Sequence, residues 1–327
     1  MSGGSTGRKS STALITTFVT IHTFAWTTCL IMIITVFLSP AIHRQSTWVN
    51  LNISWIMACF VYAFLLPTGQ LYNPDPQFGV CLFQAAAVYA VQSLVAGTML
   101  ALSLQVWWNI QRSKAGSPTM STRQRDAILI IFPYIVPAIE LIAIASYAGR
   151  NSQKVILTES GMFCGLTTPI PGRISAFYSA TLMILTTCAQ GLLWQYSYRN
   201  WYQVSGSVGN ALATMVRLAM FTLVGIVGVI FDRPWLNRVN ILDLINPFDP
   251  SIVNILESLP PLAFVFIFGL QQDILRAWTG RFWRNNNDHT TSMSKISTAD
   301  RSTTRISTEC KNKRENAKKY NGSKVQG

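Results

Sequence analysis

VCLFQAAAVYAVQSLVAGTMLALSLQVWW, residues 80–108, decides how the rest of the chain is read. The stretch carries no charge, no proline and one glycine, Gly97. As a helix it rises about 43 Å at 1.5 Å per residue, more than the roughly 30 Å hydrocarbon layer of a bilayer. A soluble core helix has no need of so long an uncharged run. Cys81 stands at one end, a thiol able to form a disulfide. Trp107 and Trp108 stand at the other, where they can anchor at an interface. The stretch reads as the central, tilted helix of a membrane bundle.

The composition agrees. Of 327 residues 50% are hydrophobic and 12% charged, against about 25% charged in soluble proteins. Lys, Arg, Asp and Glu are absent from 10–43, 45–74, 76–111 and 174–198. Several such tracts imply a polytopic membrane protein. The net charge of +13 points away from nucleic acid, because 9 of the 26 Lys and Arg fall in residues 285–327. The anionic face of a lipid bilayer is the better counterpart for a basic tail.

Apolar segments fall near 13–38, 47–66, 80–108, 127–148, 174–197, 209–231 and 251–270, each about long enough to span. The predicted fold is an all-α membrane protein, a seven-transmembrane helix bundle occupying 13–284. Residues 1–12 form a short extracellular N-terminus, and the first span is retained as a signal-anchor. Ile274, Leu275, Trp278 and Phe282 share one helical face, so 271–284 reads as a short amphipathic eighth helix lying along the membrane. The Ser/Thr-rich, basic stretch 285–327 is expected to be a disordered cytoplasmic tail.

Basic residues set the orientation. Arg44, Arg112, Lys114, Arg123, Arg125, Arg199 and the tail lie on one side, which the positive-inside rule makes cytoplasmic. The N-terminus is then outside and the C-terminus inside, at the plasma membrane. Trp48, Trp107, Trp108, Trp201, Trp278 and Trp283 all fall near the inner interface. The sequon Asn52-Ile53-Ser54 lies within a span and is expected to stay unused.

Cys81 and Cys164 face the oxidising side on this topology. A bridge between them would pin loop 149–173 over the mouth of the bundle; two independent thiols are the alternative. Cys29, Cys59 and Cys188 read as small core residues. Pro133 and Pro137 interrupt span four and Pro260-Pro261 span seven, as shaping kinks, a hinge or a pocket wall.

Ionisable residues at depth are few: His22, Glu140, Arg217 and Glu257. Buried charge is costly and tends to face a bundle interior or a wet cavity. Glu140 and Glu257 are expected to border an outward-facing ligand cavity with Gln84, Gln92 and Tyr178 as polar neighbours; helix–helix hydrogen bonding is the plain alternative. His22 reads as a packing residue. No paired Asp, HExxH or GxSxG is placed for catalysis, no metal spacing appears, and span seven has no lysine for a retinal linkage. The reading is therefore not an enzyme, and no cofactor is expected.

Seven spans, Cys81 heading the third, Cys164 in the second outer loop, proline in the seventh and an interfacial eighth helix resemble a G-protein-coupled receptor. Trp48-Val49-Asn50-Leu51-Asn52-Ile53-Ser54-Trp55, Phe163-Cys164, Ile170-Pro171-Gly172-Arg173, Tyr198-Arg199-Asn200-Trp201 and Phe268-Gly269-Leu270-Gln271-Gln272-Asp273-Ile274 resemble a fungal, mushroom-type, receptor-like seven-helix family. Two family switches are missing. Gln105-Val106-Trp107 stands where an Asp/Glu-Arg-Tyr triplet ends the third span, and no Asn-Pro-x-x-Tyr follows in the seventh.

The resemblance implies a receptor for an unknown extracellular ligand that signals to a heterotrimeric G protein. Arg112, Lys114, Arg123 and Arg125, completed by Arg199, form the expected G-protein contact. Setting topology is the alternative role for these charges. A membrane transporter or channel for a small solute is the second functional reading.

Overall fold

A computed structural model describes residues 12–39, 44–115, 122–158, 160–199, 216–226, 254–256, 258–269, 271 and 274–275. Helix dominates them: α1 (Thr12–Leu38), α2 (Ser46–Tyr62), α3 (Phe78–Ala115), α4 (Thr122–Arg150), α5 (Ile170–Arg199), α6 (Val216–Ile226) and α7 (Leu259–Gly269). Four of these, α1, α3, α4 and α5, are long and apolar enough to cross a membrane. α2 reaches 17 residues. The tail, and the expected eighth helix apart from Gln271, Ile274 and Leu275, lie outside the described residues.

α3 is the centre. Its apolar window is 56% buried, against 22%, 28% and 33% for α1, α4 and α5. It packs against α2, α4, α5 and both strands of the following loop, while α1 lies against α2 and α7. α1 buries Ile15, Phe18, Val19, His22, Ala25, Cys29 and Met32. That 3-4-3 spacing is one helical face turned inward. The opposite faces stay apolar. Ile128, Ile131, Ile135, Ile139 and Ile142 form an outward stripe down α4, each 53–67% exposed. Such a stripe is poorly matched to water and well matched to lipid.

Several expectations need correction. α2 stops at Tyr62 rather than near residue 66, although the chain stays apolar through Leu66. Gly69 adopts φ 69°, a left-handed conformation, and its N–H donates to the Leu66 carbonyl at 3.0 Å, so the chain turns. Loop 149–173, expected within an all-α protein, contains strands. It holds a 3-10 turn (Ser152–Lys154) and an antiparallel hairpin of β1 (Val155–Leu157) and β2 (Cys164–Leu166), with Ile156 opposite Gly165. Its turn closes through Gly161 at φ 68° and through Thr158, whose hydroxyl donates to the Phe163 carbonyl at 2.8 Å. Cys188 is exposed rather than in the core. Asn52 is wholly buried, out of reach of glycosylation.

Polar rungs stitch α2 to antiparallel α3. Thr47 bonds Gln105, the Ser54 and Thr98 hydroxyls meet at 2.9 Å, and Gln92 Nε2 donates to the Tyr62 hydroxyl at 3.1 Å. Hydrogen bonds between membrane helices commonly join such residues. α4 joins through its proline kink. Asn50 Nδ2 donates to the Ile130 carbonyl at 3.3 Å, next to the position where Pro133 removes a donor, and the Tyr134 hydroxyl donates to Asn50 Oδ1 at 2.5 Å.

α3 and α4 approach closely where Gly97 faces Pro133. A Cβ on Gly97 would sit 3.2 Å from Pro133 Cβ and 3.3 Å from its Cα. A ring and a backbone atom cannot swing aside. Gly97→Val is therefore expected to destabilise the bundle by about 1–3 kcal/mol through overpacking, read as a lower unfolding temperature of purified protein. An unchanged temperature would count against this helix contact.

Candidate functional site

The end of the bundle that carries the hairpin is built around a disulfide. Cys81 on the first turn of α3 bonds Cys164 on β2, with Cα atoms 5.2 Å apart. One turn further along α3, Gln84 is fully buried. Its Oε1 accepts from the Cys164 backbone N–H at 3.0 Å, and its Nε2 donates to the carbonyls of Val61 and Tyr62 at 3.0 and 3.3 Å. Gln84 is thus a clamp between the hairpin and the end of α2, not a cavity residue. The hairpin cannot lift without breaking the covalent bond and exposing this amide.

Beneath the hairpin runs a ladder of rings. Phe163, next to Cys164, stacks on Phe18 at 6.1 Å and meets Tyr62 edge-on at 5.7 Å. Phe18 in turn meets His22 edge-on at 4.5 Å, and His22 stacks on Tyr62 at 5.0 Å. These offsets and tilts are favoured by the quadrupoles of the rings.

The ladder ends at a cavity of about 160 Å³ inside the bundle. α1 lends it His22, α2 Trp55 and Tyr62, α3 one face from Val91 and Gln92 to Met99, α5 Ser179 and Met183, α6 Phe221, and α7 Pro260 and Pro261. Measured down α3 from Cys81, it spans roughly 15–27 Å at 1.5 Å per residue, around the middle of that helix. Its far side is a second ring cluster. Trp55 stacks on Phe264 at 5.7 Å and meets Phe221 edge-on at 5.6 Å, and Phe264 packs on Phe268 at 4.8 Å. Three helices, α2, α6 and α7, share that cluster. Pro260-Pro261 is a pocket wall set in the first turn of α7, where a missing N–H is tolerated.

The predicted ligand residues part company here. Gln92 lines the cavity and bonds Tyr62. Glu140 does not line it; the carboxyl lies between α3 and α5 with Ser93 and Tyr178 as polar neighbours. Tyr178 packs on a separate cluster with Ala96, Leu100 and Leu182. Glu257 lies outside the described residues. His22, read from sequence as packing, is instead a cavity residue. The rarity of ionisable groups at depth, which singles out Glu140, singles out His22 equally well.

The opposite end holds a groove of about 840 Å³ of mixed polar and apolar lining, mostly from α2, α3 and α4. Arg44 lies 5.3 Å over the Trp48 ring. Arg125 reaches Asn109 Oδ1 at 3.3 Å and Asp126 at 3.2 Å. The basic patch expected there is thus partly neutralised by the acid beside it. Arg199 ends α5, exposed. Arg112 and Lys114 fall on the last turns of α3 and Arg123 on the first of α4, with side chains outside the described residues. No protein-family model matches the chain, and no curated protein matches it.

Proposed function

We propose that the chain is a seven-span receptor of the plasma membrane, its N-terminus outside and C-terminus in the cytoplasm. It senses an extracellular ligand and signals to a heterotrimeric G protein, with no catalytic step of its own. One observation carries the reading. An interior cavity lies between a disulfide-held outer hairpin and an aromatic cluster shared by three helices. The cavity wall carries no carboxylate and no lysine among its described residues.

The mechanism follows from differential affinity. A ligand that fills the cavity better in one packing of the bundle shifts the population toward it by its affinity ratio. Trp55, Phe221 and Phe264 touch the cavity or one another, so a change in cavity shape is felt on α6 and α7. Packed rings repack in discrete steps rather than deform smoothly. Arg125 and Arg199, at the far ends of α4 and α5, belong to the face a cytoplasmic partner would read.

The expected result is ligand-dependent nucleotide exchange on a purified G protein added to vesicles carrying the full chain. Solute uptake by vesicles lacking any G protein, with no exchange in its presence, would instead favour a transporter or channel.

A further inference from the structure

His22 is 2% exposed, and neither ring nitrogen has a hydrogen-bond partner among the described residues. Ser179, across the cavity on α5, is 8% exposed with its hydroxyl likewise unpartnered. Buried polar atoms are paired in the great majority of folded proteins. Two such side chains that line one cavity and pair with nothing around it point to something that fills it. Gln92 and Tyr62, also on the wall, bond each other, whereas the indole N–H of Trp55 is a further donor left without a partner.

The wall restricts what the occupant is. No Asp, Glu, Lys or Arg lines the cavity among the described residues. A charged ligand would lose its hydration at this depth with no counter-charge to replace it. A neutral imidazole offers one donor and one acceptor. Its plane is held by Tyr62 on one face and Phe18 at the edge, so both directions are preset. The space, about 160 Å³, is close to the roughly 150 Å³ apolar cavity that takes up benzene.

We propose that this cavity binds an uncharged, mainly apolar small molecule, of the size of one substituted ring, carrying a hydroxyl or carbonyl that hydrogen-bonds His22, with Ser179 as the second polar contact. The proposal deepens the receptor reading and rests on it for its place in signalling. Binding itself can be measured without a G protein.

Three probes of one shape separate the possibilities: benzyl alcohol, toluene and the benzylammonium cation. Each is titrated against the full chain in lipid nanodiscs, with unfolding temperature as readout. Benzyl alcohol is expected to bind roughly tenfold more tightly than toluene, the worth of one buried hydrogen bond, and the cation more weakly than either. His22→Phe should erase the alcohol preference, and His22→Gln, which keeps a donor and an acceptor, should retain part of it.

Ala58 also lines the cavity from α2; Ala58→Leu narrows it and should weaken both neutral probes, which partition into lipid would not do. In the unmutated protein, the imidazole ¹⁵N resonances of His22 should move with benzyl alcohol and not with toluene, a readout that survives a misfolded variant. An alcohol preference intact in His22→Phe, tightest binding by the cation, indifference to Ala58→Leu or an unmoved His22 resonance would each overturn the proposal. Binding as described with no G-protein response to any ligand would remove the receptor reading alone.

Discussion

Cys81→Ser is expected to be the most damaging single substitution in the outer half of the molecule. The bridge closes a chain separation of 83 residues, and closing a loop of that length is worth about 4–5 kcal/mol by chain entropy. That figure refers to a chain free to explore. The membrane already restrains α3 and α4, the two helices inside that loop, so the measured loss should fall at or below it. Direction and pattern are the sharper test. Cys164→Ser should cost the same as Cys81→Ser, and the double variant no more than either, because each removes the whole bridge. Reductant applied to the unmutated protein should reproduce the loss. The damage should also travel inward. Without the bridge the hairpin rests on Gln84 and Phe163, and Phe163 is the first rung of the ladder that orients His22. Binding in the cavity should weaken in the serine variants at temperatures where they remain folded. Additive losses from the two serines would show that the cysteines act separately.

How much of this is legible in the residues depends on which physical quantity they encode. Hydrophobic length is one-dimensional, and it finds all four long helices, 12–38, 78–115, 122–150 and 170–199, but stops short of the polar, charged ends of α3 and α4. It overruns α2 because Ala63, Phe64, Leu65 and Leu66 are apolar whether the chain is helical or turning. The cysteine pair is legible because both thiols sit at helix–loop edges on one side. The three-residue strands are not, being too short for any alternation to show.

The site is harder. In a soluble helix the polar face says which way is out, but in lipid both faces are apolar and angular position is lost. Glu140 and His22 look alike as rare ionisable groups at depth. Their difference is that α4 is peripheral and turns its isoleucine stripe to lipid, whereas His22 falls in register with Phe18, Ala25 and Cys29 on the buried face of α1. Gln84 reads as a ligand group because a buried amide invites a partner. Its partners are the backbone of the hairpin and of α2.

Ile135→Arg should separate a bilayer protein from a water-soluble one more cleanly than any change in the core. Ile135 lies midway along α4, 53% exposed, flanked on the same stripe by Ile131 and Ile139. In water, arginine there would relieve an apolar surface and improve solubility. In lipid it faces hydrocarbon at the depth where insertion measurements place the cost of arginine at about 2.5–3.5 kcal/mol, a shift of roughly a hundredfold in an insertion equilibrium. The side chain has no near escape, since half of a 29-residue helix lies on either side of it. The expected outcome is a collapse in the membrane-inserted fraction, measured by carbonate extraction of translated protein. Ile135→Leu should leave that fraction unchanged. Arg125, on the first turn of the same helix, should tolerate replacement by lysine, because there the charge sits at the helix end beside Asp126. Equal membrane insertion of the unmutated chain and the Ile135→Arg variant would mean that the isoleucine stripe faces a protein or aqueous surface, and the orientation of α4 would have to be redrawn.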